Sequence, residues 1–357
     1  MSQAFPGLLA DFRAKLEGQL QEWLSRKEAE AAIESAASRE LTEVLTRYVA
    51  RDGKRIRPAL LYYTYRACGG SSDDKVMPIA MALELLHTYL LIHDDIMDHA
   101  DVRRGGPAAH VMYADMHRER GWHGSSQHFG ESVAILLGDL AQTYSLELYS
   151  GVELAPEVAG EFRSQFCRMC QEVVLGQYLE MTAGHRENLE EDELLRVLRM
   201  KSGRYSIERP VQLGYLLARA PESTRRALTT YGLKMGEAFQ LQDDLLGMFG
   251  DVRTVGKPVG ADLVEGKFTL IIHHALRHLS AADRGLLQQA LGNPDLEPDQ
   301  IARVQRLIED SGARQRVQEM VEERLVEARR SLDATDLAGD GAAFLGGLID
   351  YLRGRER

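Results

Sequence analysis

The segment LLIHDDIMDHADVRRGG, Leu90 to Gly106, sets Asp94, Asp95, Asp98 and Asp101 within eight positions and follows them with Arg103, Arg104 and two glycines. On a helix, Asp94 and Asp98 stand at i and i+4. Both carboxylates then project from one face a single turn apart, where they repel each other unless a cation intervenes. A solvated acidic helix end is the plain alternative, but the residues leading to Asp94 are strongly apolar and suit a solvated face badly. Hard oxygen ligands at this spacing suit Mg²⁺, which keeps several waters and bridges carboxylates to phosphates. A second cluster, FQLQDDLLGMFGD, carries Asp243 and Asp244 among Phe239, Leu241, Leu245 and Leu246. Two such helices facing one cavity would form a multi-metal site.

Short basic groups lie beside glycines: GKRIRP (Gly53 to Pro58), VRRGG (Val102 to Gly106), KSGR (Lys201 to Arg204), Lys257 and Lys267. Each alone reads as ordinary surface charge, since exposed Lys and Arg are the default. Beside two acidic clusters they acquire a common use, the gripping of phosphate oxygens.

Helices must carry these groups. Apolar residues recur at spacings of three and four, as in Ile79, Leu83, Leu86, Leu90, His93, Met97 and again from Phe166 through Met169 and Val173. No alternating β-branched run appears, so strand content near zero is expected. Breaks are expected at 51–58, 69–74, 105–107, 121–126, 188–192, 250–266 and 292–298, where Gly, Pro, Ser, Asn and Asp gather. With no repeat and no linker between distinct compositions, the whole chain, 1–357, reads as a single domain. The stretch GDVRTVGKPVGADLVEG, Gly250 to Gly266, is a glycine-rich charged loop of the kind that closes over a ligand.

The 357 residues can bury a substantial core, and 43 Lys+Arg against 54 Asp+Glu give a net charge of −11. That balance argues against nucleic acid as a partner. Cys68, Cys167 and Cys170 are too few for a disulfide framework and are expected to be buried helix residues. The start, MSQAFPGLLADFRAKLEGQL, lacks the apolar core of a secretion signal, so a cytoplasmic protein is expected. No membrane span is expected either: the nearest apolar stretch, before Asp94, is interrupted by Glu84, His87 and Thr88.

Together these groups resemble one family, the trans-isoprenyl diphosphate synthases or polyprenyl synthetase family. The matching segments are GKRIRP, LLHTYLLIHDDIMDHADVRRGGPAAH, HFGESVAILLGD, GQYLEM, KSGRYSIERPVQLG and FQLQDDLLGMFGDVRTVGKPVGADLVEGKFTL, in family order from about residue 50 to 272. The resemblance implies an all-α, single-domain bundle of about a dozen helices around a deep central cavity. It also implies condensation of isopentenyl diphosphate with an allylic diphosphate (dimethylallyl, geranyl or farnesyl), extending the chain by five carbons.

By that resemblance three Mg²⁺ ions serve the site. Asp94 and Asp98 would bind two of them and Asp243 the third, with Asp95 and Asp244 in supporting positions. Arg103, Lys201, Lys257 and Lys267 match the cations around the allylic diphosphate, with Gln240 as their neighbour. Asp94, Asp98, Lys201, Asp243 and Lys257 form the catalytic set. Gly53, Lys54, Arg57, His87 and Arg104 match the metal-free seat for isopentenyl diphosphate. Ser202 stands where threonine is common. The second aspartate motif departs from the family at Gly247, where many members carry a third aspartate, while Asp251 lies one turn further on. That form makes a class I terpene cyclase the nearest enzymatic rival, and a non-catalytic partner subunit or helical scaffold the rival of another class. The second diphosphate seat and the long loop favour elongation over cyclisation.

Tyr89, five residues before Asp94, would lie roughly 7.5 Å beneath the metals, with Leu90 beside it. By analogy this floor suggests geranylgeranyl diphosphate (C20) as product, with farnesyl diphosphate second. Tyr89 packing between helices is the plain alternative. The family also implies a homodimer.

Overall fold

A computed structural model describes residues 4–186, 189–250 and 260–354. The chain forms two compact units. The first comprises Pro6–Tyr62 and Ser71–Leu154; the second comprises Ala155–Arg357 with the short segments Met1–Phe5 and Tyr63–Gly70.

The first unit contains most of α1 (Ala4–Glu34), then α2 (Ala36–Val49), the start of α3 (Ile56–Ala67), α4 (Asp73–Met97), α5 (Ala109–Glu119) and α6 (Ser126–Ser150). α4 packs most extensively on α6. There Ser145 donates to the Ala82 carbonyl at 2.7 Å, satisfying a buried hydroxyl inside an apolar contact. α4 is long and apolar enough by composition to cross a membrane, but 67% of that window is buried within the protein, as in a core helix. Strand is confined, among the described residues, to β1 (Val102–Arg103) and β2 (Gly106–Pro107), a two-residue antiparallel pair.

The second unit contains α7 (Pro156–Ala183), α8 (Glu191–Leu198), a π-helix (Arg199–Glu208), α9 (Arg209–Leu217), α10 (Glu222–Phe249), α11 (Ala261–Val264), α12 (Leu270–His278), α13 (Ala281–Ala290), α14 (Pro298–Asp310), α15 (Ala313–Asp333) and α16 (Gly339–Gly354). α10 is its axis, packed on α15 and on the π-helix. Buried charge fastens the π-helix at both ends. Glu237 of α10, fully buried, accepts from Arg199 and Arg324, each at 2.6 Å. Arg209 grips Glu172 of α7 in a bidentate pair at 2.8 and 2.9 Å, and Arg204 adds a third bond at 2.8 Å. Such pairs fix geometry more than they add stability, because desolvation offsets most of the attraction.

The expected breaks that lie in the described residues are all interruptions between helices. Other interruptions, at Ser35, 151–155, 218–221, 279–280, 311–312 and 334–338, fall outside those breaks. The cysteine expectation needs correction: Cys167 is exposed, and Cys68 and Cys170 are half-buried. Cys167 and Cys170 lie three residues apart on α7, and burial of the second pushes the Cys170 thiol up to about 12.

Candidate active site

In the first unit the DDIMD motif closes α4. Asp94 and Asp95 lie in its last turn and Asp98 is the C-cap, its N–H donating to the Asp94 carbonyl at 2.8 Å. No basic residue occupies that turn. Three carboxylates therefore crowd the negative end of the helix dipole, an arrangement that a cation relieves. Asp95 is fully buried and its two oxygens are taken within the protein: Tyr48 donates at 3.1 Å and the Arg103 Nε at 2.6 Å. Burial raises the Asp95 pKa above the ordinary carboxylate value, while Arg103 and Tyr48 oppose that shift. Arg103 also reaches within 3.7 Å of Asp94.

A hairpin aims the two arginines apart. Arg104 (φ 50°) and Gly105 (φ 72°) occupy the two turn positions between β1 and β2, the left-handed pair that a tight hairpin requires. A side chain there costs about 1–2 kcal/mol, strain of the kind stored at functional sites. Arg51 holds the hairpin by donating to the carbonyls of Arg103 (3.2 Å) and Pro107 (2.8 Å). Arg103 turns to Asp95, and Arg104 turns to Glu84 at 3.2 Å.

Glu84 is itself buried on α4 and also accepts from Arg55, whose guanidinium bonds the Val49 and Arg51 carbonyls at 2.7 and 2.9 Å. A Cβ on Gly53 would lie 3.2 Å from the Arg104 Cζ, so the GKRIRP segment and the hairpin meet. His87 completes the group, 3.2 Å from the Arg57 Nη1. Burial, then the charges of Arg57, Arg104, Arg103 and Arg55, hold its pKa well below the ordinary imidazole value. His87 is therefore neutral at pH 7, in a positive field suited to an anion. Lys54 of the same segment is exposed. Tyr89, half-buried, packs edge-on against His93 at 4.7 Å, and Leu90 is half-buried beside it.

In the second unit Asp243 and Asp244 lie near the C-terminal end of α10, again with no basic residue in the last turn. Gln240 donates to Asp244 at 2.7 Å. The Asp244 pKa is pushed up to about 8 by burial and by the charges of Asp262, Glu180 and Asp243, with Gln240 opposing. Lys201 pairs with Glu180 of α7, and Lys267 pairs with Glu265 and stands 3.5 Å from Asp262. Lys201 and Ser202 belong to the π-helix, a distortion frequent at functional sites. Gly176 of α7 sets the position of Lys201: a Cβ there would lie 2.6 Å from the Lys201 Cα. Lys257 and Asp251 fall outside the described residues.

These donor sets fit Mg²⁺. They are carboxylates gathered at negative helix ends. Mg²⁺ is commonly held in this way, by one or two carboxylates with waters and substrate phosphates. Sequence reasoning missed Tyr48, Arg51, Arg55, Glu84, Glu180 and Asp262. Glu84 alone left a visible mark, as an acid inside an apolar helix.

Residues 38–309 match the Polyprenyl synthetase family. The chain belongs to that family, whose members transfer prenyl groups. It is 38% identical over 261 residues to a short chain isoprenyl diphosphate synthase of Methanocaldococcus jannaschii, covering 72% of this chain and 73% of that one. It is 32% identical to a geranylgeranyl diphosphate synthase of Methanosarcina mazei over 85% of this chain and 86% of the relative. Among solved structures it resembles the geranylgeranyl pyrophosphate synthase of Corynebacterium glutamicum, crystallised with isoprenyl diphosphate and magnesium. That match has a TM-score of 0.92 and 31% identity, and it covers 97% of this chain and 99% of the other.

Proposed function

We propose that this chain is a magnesium-dependent prenyltransferase that condenses isopentenyl diphosphate with an allylic diphosphate, with geranylgeranyl diphosphate as its main product. The observation that carries the reading is the arginine group around His87, a cationic seat that needs no metal. One diphosphate seat suffices for a cyclase, whereas joining two diphosphates requires two.

Asp94, Asp98 and Asp243 would hold three Mg²⁺ ions, with Asp95 and Asp244 in support; bound Mg²⁺ supplies Lewis acidity toward a departing diphosphate. Arg103, Lys201, Lys257 and Lys267 grip the allylic diphosphate, with Gln240 and Ser202 orienting it. Gly53, Lys54, Arg57, His87 and Arg104 hold the diphosphate of isopentenyl diphosphate. Tyr89 and Leu90 limit chain length, and the relatives named for geranylgeranyl diphosphate support the twenty-carbon product. The whole chain acts as one cytoplasmic domain. Exposed Ile135, Leu136 and Leu146 on α6 support a homodimer, since large apolar side chains clustered on one helix mark contact surfaces.

Incubation with isopentenyl diphosphate, Mg²⁺ and each allylic primer, followed by chromatography, tests the reading. Elongated products ending at geranylgeranyl diphosphate are expected. A cyclised hydrocarbon, or no product from any primer, refutes it.

A further inference from the structure

The second aspartate motif lacks its third carboxylate, yet the space beside that position is filled. A Cβ built on Gly247 would overlap the carboxylate of Asp262, 2.6 Å from its Cγ. Gly247 stands one turn after Asp243 on α10, so an acid in its place would share that face. The carboxylate that α10 does not carry is thus delivered to the same spot from α11.

Three features hold it there. Gly260 caps α11 in the left-handed conformation (φ 74°), the Asp262 carbonyl accepts from the Lys267 N–H at 2.9 Å, and the Lys267 ammonium stands 3.5 Å from the carboxylate. The side chain is only 13% exposed, so it is directed into the unit and away from bulk water. Glycine inside a helix is ordinarily a weakness, and here it leaves open the volume that the Asp262 carboxylate fills, which a Cβ would displace.

We propose that Asp262 is the functional third carboxylate of the second aspartate motif, standing in the volume that a side chain at Gly247 would take. The inference rests on the proposed function, in which this motif serves Mg²⁺ and a diphosphate. A purely structural Asp262, paired to Lys267 to pin α11, is the competing account.

Thermal unfolding of the full chain with inorganic diphosphate, with and without Mg²⁺, distinguishes them without turnover. Wild type is expected to show an upward, Mg²⁺-dependent shift. D262N, which removes the charge and keeps the shape, should lose most of that shift. G247D/D262A, which moves the carboxylate to α10 and clears its volume, should regain at least half of it. A D262N protein with a lower unliganded melting temperature but a full Mg²⁺-dependent shift overturns this inference and leaves the proposed function standing. A folded double variant no better than D262N also overturns it. Absence of any Mg²⁺-dependent shift in wild type overturns both readings.

Discussion

Tyr48→Phe removes one hydroxyl from the most buried polar contact of the candidate site. Tyr48 and Asp95 are both 0% exposed, so no solvent replaces the lost donor to the Asp95 Oδ2. The ring remains, with the Arg51 guanidinium 4.7 Å from its centroid, so packing is nearly unchanged. Stripping one donor from a buried carboxylate costs about 1.5–3 kcal/mol when the group is ionised. Burial keeps Tyr48 itself protonated, so it donates throughout the accessible pH range. The pH dependence has a definite sign. Burial raises the Asp95 pKa in the fold, and a carboxyl so shifted contributes stability that is full below its unfolded pKa and lost as pH rises through the folded one. The Tyr48 bond opposes that shift, and without it the folded pKa rises further. The penalty of the substitution is therefore greatest at alkaline pH and shrinks toward acid. Urea unfolding followed by circular dichroism from pH 8 down through the acid range to pH 3 measures it. A loss below about 0.5 kcal/mol at pH 8, no more than a neutral surface change, refutes the argument. A loss of equal size at every pH refutes it as well.

Asp94→Ala and Asp243→Ala are each expected to abolish turnover with helical circular dichroism retained, and near-wild-type elongation by either rejects its assignment to metal. Tyr89→Ala is expected to lengthen the product, so an unchanged product distribution removes Tyr89 from the floor of the pocket. His87, depressed in the fold, makes the native state lose stability as pH falls below the ordinary imidazole value, by about 1.4 kcal/mol per pH unit until the folded pKa is reached. His87→Gln should flatten that slope in denaturation midpoints between pH 7.5 and pH 5.5, and an unchanged slope assigns the effect to other groups.

The acidic motifs were legible because their chemistry is local: the spacing of Asp94 and Asp98 fixes a shared face wherever the helix goes. Helix breaks were legible where Gly gathered with Ser, Asp or Pro, as at 69–74 and 292–298, and missed at Ser35, where one serine cap separates α1 from α2 by accepting from the Ser38 N–H at 3.0 Å. The π-helix left no mark, since its register depends on the buried Glu237 and Glu172 pairs that hold its ends. Asp95 and Asp94 are neighbours of one residue type. Only the tertiary positions of Tyr48 and Arg103 assign Asp95 to the interior and leave Asp94 half-buried.

The acid excess of the chain takes on a specific meaning at these sites. Four described cations assigned to diphosphates already face carboxylates: Arg103 with Asp95, Arg104 with Glu84, Lys201 with Glu180 and Lys267 with Glu265. The two arginines pair with acids whose side chains are 0% and 1% exposed, whereas the acids on the lysines are 27% and 20% exposed. Releasing a guanidinium from either buried acid would strip a charge-assisted bond that water cannot replace, at a cost of about 1.5–3 kcal/mol, so Arg103 and Arg104 stay tethered and meet an anion with their remaining donors. Glu180 and Glu265 can be rehydrated at little cost, so Lys201 and Lys267 can exchange them for a diphosphate. In the proposed function the arginines would therefore define the position of a diphosphate before it arrives, and the lysines would respond to it. Arginine suits the first role because its planar fork offers five donors and can serve two partners at once, while the compact, flexible ammonium of lysine suits the second.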